Sequence, residues 1–166
     1  MLARLKIRFA ILAISFAVSV GGFGGAVLAA TNTQRCAPIT SKRVAALFDR
    51  WNASLAKSPD AAVANYAADA VLLPTKANGP LIGHTAIRGY FVHFLESHPS
   101  AVIVTRTIMI ACNMAFDAGL YDFKVDGSTP GSRTVLKARY TFVYAPRRGR
   151  WLIVQHHSSV LPVPGP

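Results

Sequence analysis

The sequence predicts an α+β fold in which three N-terminal helices pack on one curved antiparallel sheet. Three observations predict it. Before Pro99, apolar residues recur at three- and four-residue steps, the period of an amphipathic helix. After Pro99 come four long runs rich in β-branched and aromatic residues. Short turn signals join those runs, which implies antiparallel pairing. Helices followed by strands then make a layered α+β architecture.

The chain opens with Arg4, Lys6 and Arg8, an apolar core from Phe9 to Val20, glycines over 21–25 and small residues up to Ala30. Residues 1–30 therefore read as a secretory signal peptide, and the chain is expected to be exported, periplasmic or secreted. If retained, the uncharged stretch from Phe9 to Ala30 is long enough to span a bilayer; after cleavage no membrane association is expected. Residues 31–40 form an N-terminal extension, 41–162 a single domain and 163–166 a tail.

Thr40 and Ser41 are N-cap types, and "KRVAALFDRWNASLAK" places Val44, Leu47, Phe48, Trp51 and Leu55 on one helical face. A second helix is expected in "SPDAAVANYAADA", capped by Ser58 or Asp60, with Pro59 in its first turn and Val63 and Tyr66 inward. "AVLLPTKANGPLIG" reads as two short strands around a turn at Asn78-Gly79-Pro80. His84 or Thr85 opens the third helix, with Ile87, Tyr90, Phe91, Phe94 and Leu95 on one side and an end before Pro99. "AVIVTRTIMIA", "MAFDAGLYDFKV", "RTVLKARYTFVYA" and "RWLIVQHHSSVL" are the four long strands. Turn signals separate them at Cys112-Asn113, at 126–131 and at Arg147-Arg148-Gly149.

In the third of these strands one face carries Leu136, Ala138, Tyr140, Phe142 and Tyr144, and the other Val135, Lys137, Arg139, Thr141 and Val143. Alternation in the first sets Arg106 among Val102, Val104, Ile108 and Ile110. Neither face is fully polar, so both are expected to be partly covered, one by helices and the other by a second copy of the chain. The expected partner is thus the chain itself, as a homodimer or larger homo-oligomer.

The formal charge is +11, and three of its cations lie in the expected signal peptide. No basic cluster exceeds Arg147, Arg148 and Arg150, and no aromatic residues interleave with it, so nucleic acid is not an expected partner. Cys36 and Cys112 form an even pair in an exported chain. They read either as one disulfide or as a loose terminal thiol and a buried apolar cysteine.

"YAADAVLLPT", "IRGYFVHFL", "ACNMAFDAGLYDF" and "ARYTFVYAPRRGRWLIVQHHSS" resemble the association domain of calcium/calmodulin-dependent protein kinase II, and more closely its exported bacterial stand-alone relatives. The resemblance spans about Ser41 to Pro162 and implies no kinase activity. It implies a nuclear transport factor 2-like cone of helices wrapped by a bent sheet, with a pocket at its open end and dimers packed through the sheet. In the kinase such dimers assemble into rings. The same superfamily holds steroid isomerases, polyketide-cyclase-like enzymes and dehydratases, so the fold alone settles no chemistry.

A pocket in such a cone is expected to involve the helix residues Trp51, Tyr66, Tyr90 and Phe94, which also read as plain core. Arg106 and Arg139 sit mid-strand among apolar neighbours, where an unpaired guanidinium is costly. They read either as edge or dimer contacts paired with Asp117 or Asp122, or as a cationic floor for a carboxylate. The resemblance favours an acidic or polar organic ligand, because kinase association domains have an arginine-lined pocket that accepts small acids. Ser158 is a departure, standing where the kinase carries an arginine after its paired histidines.

His156 and His157 are adjacent on a strand and point to opposite faces, so they cannot share one metal or one substrate. With no further ligands at zinc spacing, no metal is expected. One histidine is left as a general-base candidate, with Asp117 or Tyr121, in an alternative reading as a small isomerase, cyclase or dehydratase. Tyr90 or Tyr121 orients the substrate in that reading. His84, His93, His98 and Glu96 are expected on the solvated face and ends of the third helix. No phosphate loop, HExxH, flavin or nicotinamide motif occurs, and no cofactor is expected.

Overall fold

The computed structural model describes residues 35–75 and 77–162. The expected signal peptide and the tail at 163–166 lie outside the described residues. Helices α1 (Ser41–Leu55) and α2 (Pro59–Val63) lead into strand β1 (Tyr66–Leu73), a two-residue strand β2 (Leu81–Ile82) and helix α3 (Gly83–Phe94). A 3-10 turn over Leu95–Ser97 then precedes β3 (Ser100–Ala111), β4 (Met114–Asp126), β5 (Arg133–Arg147) and β6 (Arg150–Val160). The six strands form one curved, unclosed sheet in the order β2-β1-β6-β5-β4-β3. No helix of the described residues is long and apolar enough to cross a membrane.

Thr40 caps α1 by accepting a hydrogen bond from the Arg43 amide at 3.2 Å. The predicted stripe of Val44, Leu47, Phe48, Trp51 and Leu55 is buried, and α1 lies across β3 and β4. It meets the inner face of β5, where Tyr140, Phe142 and Tyr144 are buried. Edge-on and tilted aromatic pairs fill the space, among them Phe48 on Phe142 and Trp51 on Phe123.

Four expectations need correction. The second helix is a single turn and a half, and Tyr66 belongs to β1. Asn65 ends the helix: its side-chain amide donates to the Ala61 and Ala62 carbonyls, satisfying the orphan acceptors of the last turn. The sheet is also not wholly antiparallel, because β1 pairs with β6 in parallel. The two strands lie far apart in sequence, so no hairpin forces their direction. Third, α3 begins at Gly83, with Ile82 at the cap position and no side-chain cap. Gly83 has φ of +77° and His84 in the first turn hydrogen-bonds the Tyr66 carbonyl at 2.9 Å, tying α3 to β1.

The fourth correction concerns Arg106. Residue pairing between β3 and β4 slips at Val104, so that Ile103 faces Tyr121 but Thr105 faces Leu120. This bulge reverses the alternation. Val102 and Val104 are on the exposed outer face, about half exposed, whereas Arg106 and Ile108 turn inward, opposite Gly119 and Asp117. Two features hold the bulge. The Thr105 hydroxyl accepts the Leu120 amide at 3.0 Å, and the Thr105 carbonyl lies where a Cβ on residue 119 would be, at 2.1 Å. Gly119 is the residue that admits it.

Cys36 and Cys112 are joined by a disulfide, with Cα atoms 4.8 Å apart. Asn113 beside it accepts the Ala37 amide at 2.7 Å, so the segment before α1 is fastened to the β3–β4 turn.

Gly119→Ala is expected to lower the unfolding free energy by about 1–3 kcal/mol through overpacking of the bulge, read as a lower urea midpoint. Cys36→Ser is expected to cost about 2–4 kcal/mol. Non-reducing mass measurement of the wild type should show the bonded form, and two free thiols would contradict it.

Candidate functional site

A small cavity of about 20 Å³ lies between α3, β1 and the inner face of the sheet. Trp51, Phe91, Phe123 and Leu72 wall its interior, and the half-buried Tyr90, Phe94, Thr75 and Leu136 mark the open side. The whole cavity has room for a water-sized group or two. Its polar surface comes from His156, Tyr121, Ser158, Thr75 and Tyr90.

Register builds this polar end. His156 and Ser158 are two residues apart on β6, opposite the inward Phe142 and Tyr140 of β5, and therefore share the inner face. His157 between them is exposed on the outer face. The His156 ring stacks on Phe142 at 3.9 Å between centroids and meets the Trp51 ring edge-on at 5.2 Å. The Trp51 indole donates to the Tyr66 hydroxyl at 3.0 Å, and that hydroxyl lies 2.9 Å from His156 Nδ1.

An indole N–H only donates, so the Tyr66 oxygen accepts from Trp51. Between the Tyr66 hydroxyl and His156 Nδ1 either group can donate, according to the tautomer of the imidazole. Nε2 is buried and has no hydrogen-bond partner among the described residues. Burial, followed by the neighbouring His157 charge, pushes the His156 pKa down to about 3, so the ring is neutral at ordinary pH. Desolvation likewise pushes the Tyr66 and Tyr121 hydroxyls well above their ordinary value. Beside His156, the Tyr121 hydroxyl donates to Ser158 at 2.6 Å, and Ser158 and Thr75 hydroxyls are 2.5 Å apart.

The acidic and basic candidates lie elsewhere. Asp117 is fully buried beneath α1, where it accepts from the Tyr140 hydroxyl at 2.9 Å and pairs with Arg106 at 3.0 Å. Burial lifts its carboxyl above the ordinary carboxylate range, against the pull of Tyr140 and Arg106. The Arg106 guanidinium also lies over the Phe48 ring at 5.2 Å. Arg139 is on the outer face, exposed, with Ser159 as its hydrogen-bond partner at 3.3 Å. The two arginines thus occupy opposite faces and form no common floor, and neither lines the cavity.

Of the sequence-derived ligand candidates, Trp51, Tyr90 and Phe94 line the cavity, and Tyr66 supports it from behind through His156. Of the chemical candidates, His156 and Tyr121 line it, whereas His157 and Asp117 do not. Sequence reasoning missed Ser158, Thr75 and Leu136 as cavity residues. Alternation alone points to Ser158, two residues beyond His156. Outside the cavity, His98 and Asp126 are in contact at 2.6 Å and His93 lies 3.6 Å from Glu96, all exposed.

A buried neutral histidine makes stability pH-dependent with a definite sign. Its folded pKa is depressed below 6.5, so its contribution is present above pH 6.5 and drains away as pH falls toward about 3. Between pH 6.5 and 5, above the main carboxylate range, the loss should approach about 1.4 kcal/mol per pH unit in urea unfolding. His156→Phe should flatten that slope, and a flat wild-type profile would contradict the assignment.

Residues 40–162 match the family described as the calcium/calmodulin dependent protein kinase II association domain. A solved structure of a Xanthomonas campestris protein assigned to that association domain is 43% identical to the chain. It aligns over 75% of this chain and 90% of its own, with a TM-score of 0.71. A Pseudomonas putida nuclear transport factor 2-like protein of unknown function is 17% identical, covering 71% of this chain and 84% of its own at a TM-score of 0.60. A Streptomyces avermitilis protein described as a dehydratase of that same fold family is 10% identical, covering 74% and 97% at a TM-score of 0.66. No curated protein matches.

Proposed function

The chain belongs to the calcium/calmodulin dependent protein kinase II association domain family, and we propose that it self-associates through the outer face of its sheet, with a small-molecule site inside each subunit. The observation that carries the reading is the composition of that face. Met109, Phe116 and Val143 stand side by side across β3, β4 and β5, followed one row on by Thr107, Ala118 and Thr141. Met109 is 56% exposed and Val104 55%. An apolar strip on the solvent side of a sheet is a liability for a lone subunit and a natural interface between two copies. Lys137, Asp122 and Arg139 border it, so the strip has an apolar centre and a charged rim. A twofold arrangement lets the same strip serve both subunits.

Export to the periplasm or medium completes this reading. It is supported by the charged, apolar and small-residue pattern of residues 1–30 and by the disulfide, which suits an oxidising compartment. The isomerase, cyclase or dehydratase alternative needs a base at the cavity. His156 lines it, but burial pushes its pKa down to about 3 and makes it a weak base, and Asp117 is committed to Arg106 and Tyr140 away from it.

Light scattering on the protein from residue 31 onward is expected to give at least a dimer at micromolar concentration. Val143→Asp, which places a charge within the strip, is expected to yield a folded monomer. A monomeric wild type would overturn the proposal.

A further inference from the structure

Positive charge gathers at one end of the domain. Register places the β3–β4 and β5–β6 turns at the same end of the sheet, with the β4–β5 turn at the other. The β5–β6 turn carries Arg147, Arg148 and Arg150, and α1 carries Lys42, Arg43 and Arg50. Arg50 joins the two groups, because its guanidinium donates to the Trp151 carbonyl at 3.3 Å and to Asn65 at 2.8 Å. Burial first, then the charges of Arg150 and Arg43, hold the Arg50 pKa below its ordinary value. Within the turn, Arg148 and Gly149 have φ of +50° and +76°, the geometry of a two-residue hairpin. That turn sets Arg147 directly opposite Arg150, a like-charge pair that disfavours the hairpin.

The carboxylates of the domain do little to balance this end. Asp60, Asp117 and Asp126 are paired with Arg88, Arg106 and Arg133, and Glu96 lies beside His93. On α1 the exposed Asp49 stands alone against Lys42, Arg43 and Arg50. Asp69 is 3.9 Å from Arg147 with both side chains exposed, a contact of little strength in water. Arg43, Arg148 and Arg150 have no ion-pair partner among the described residues.

The point where the chain enters the domain selects the partner. Cys36 is bonded to Cys112 and the Ala37 amide donates to Asn113, so Arg35 stands at this same end. The uncharged stretch from Phe9 to Ala30 stops five residues before Arg35. A chain of that length reaches at most about 17 Å. A bilayer holding that stretch, in transit or as an anchor, therefore has its headgroups within reach of the arginines.

We propose that this end of the domain docks on an anionic phospholipid surface, with lipid phosphates held by the arginines of α1 and of the β5–β6 turn. Guanidinium groups match a phosphate with two parallel hydrogen bonds. This reverses the expectation of no membrane association after cleavage, and it is independent of the interface on the outer face of the sheet.

Sedimentation of the exported form, residues 31–166 with the disulfide intact, with lipid vesicles tests it. Vesicles with equal parts of phosphatidylglycerol and phosphatidylcholine are expected to bind about 10-fold more tightly than phosphatidylcholine alone at about 0.05 M salt, and to release the protein at about 0.5 M. Arg148→Asn with Arg150→Gln is expected to weaken that binding by about 5-fold for each arginine removed. Lys42→Gln with Arg43→Gln should give a similar loss, and it stands in if the turn variant does not fold. Lys57→Gln with Lys124→Gln removes the same charge beyond the end of α1 and near the β4–β5 turn. Its expected effect is less than about 2-fold. Equal losses from the two ends reduce the attraction to net charge and overturn the oriented docking. Equal binding to both kinds of vesicle, or release by inorganic phosphate at matched ionic strength, overturns the lipid surface as partner. Duplex DNA bound as tightly as the anionic vesicles, phosphate for phosphate, does the same.

Discussion

The hydrogen-bond chain from Trp51 through Tyr66 to His156 joins three elements that are distant in sequence. Trp51 comes from α1, Tyr66 opens β1 and His156 is near the end of β6. All three side chains are buried, so each polar atom in the chain needs a partner there, and leaving one unpaired costs about 1–3 kcal/mol. The chain therefore constrains how α1 docks on the parallel pair of β1 and β6. It also holds the His156 ring in place at the cavity, with its Nδ1 against the Tyr66 hydroxyl.

The chemistry of the subunit is divided into three zones by this arrangement. Beneath α1 lie the charged residues Arg106 and Asp117 with Tyr140, held together by an ion pair and hydrogen bonds. Beside α3 lies an aromatic cavity whose polar groups are neutral. On the far side of the sheet lies an apolar strip with a charged rim. The bulge at Val104 makes this division possible. Without the one-residue slip, Arg106 would stand on the outer face with Val102, and Asp117 would be a buried carboxylate without its cation. Gly119 is where the backbone of β3 comes too close to β4 for any side chain, and so it stands at the origin of both the bulge and the ion pair.

Much of the fold was legible in the residues. The stripe in α1, the four long strands and their turns follow from periodicities that depend only on local geometry. The opposite facing of His156 and His157 was legible for the same reason. The length of α2 was not, because it depends on Asn65 turning its side chain back on the helix. The parallel pairing of β1 with β6 was also hidden, since strand direction across a long connection has no local signature. Gly119 was a visible clue to the bulge, but a glycine in a strand does not say which neighbour approaches it.

By itself, the sequence determined which elements form, which faces they bury and which family the chain resembles. These depend on side-chain spacing along a single segment. Only the tertiary structure decided that Arg106 and Arg139 are separated by the sheet, that Asp117 answers Arg106, and that His156 is held at the cavity by Tyr66. Those outcomes depend on one slipped residue in β3 and on a hydrogen-bond chain across three elements. Both are relations between segments, and no reading of one segment contains them.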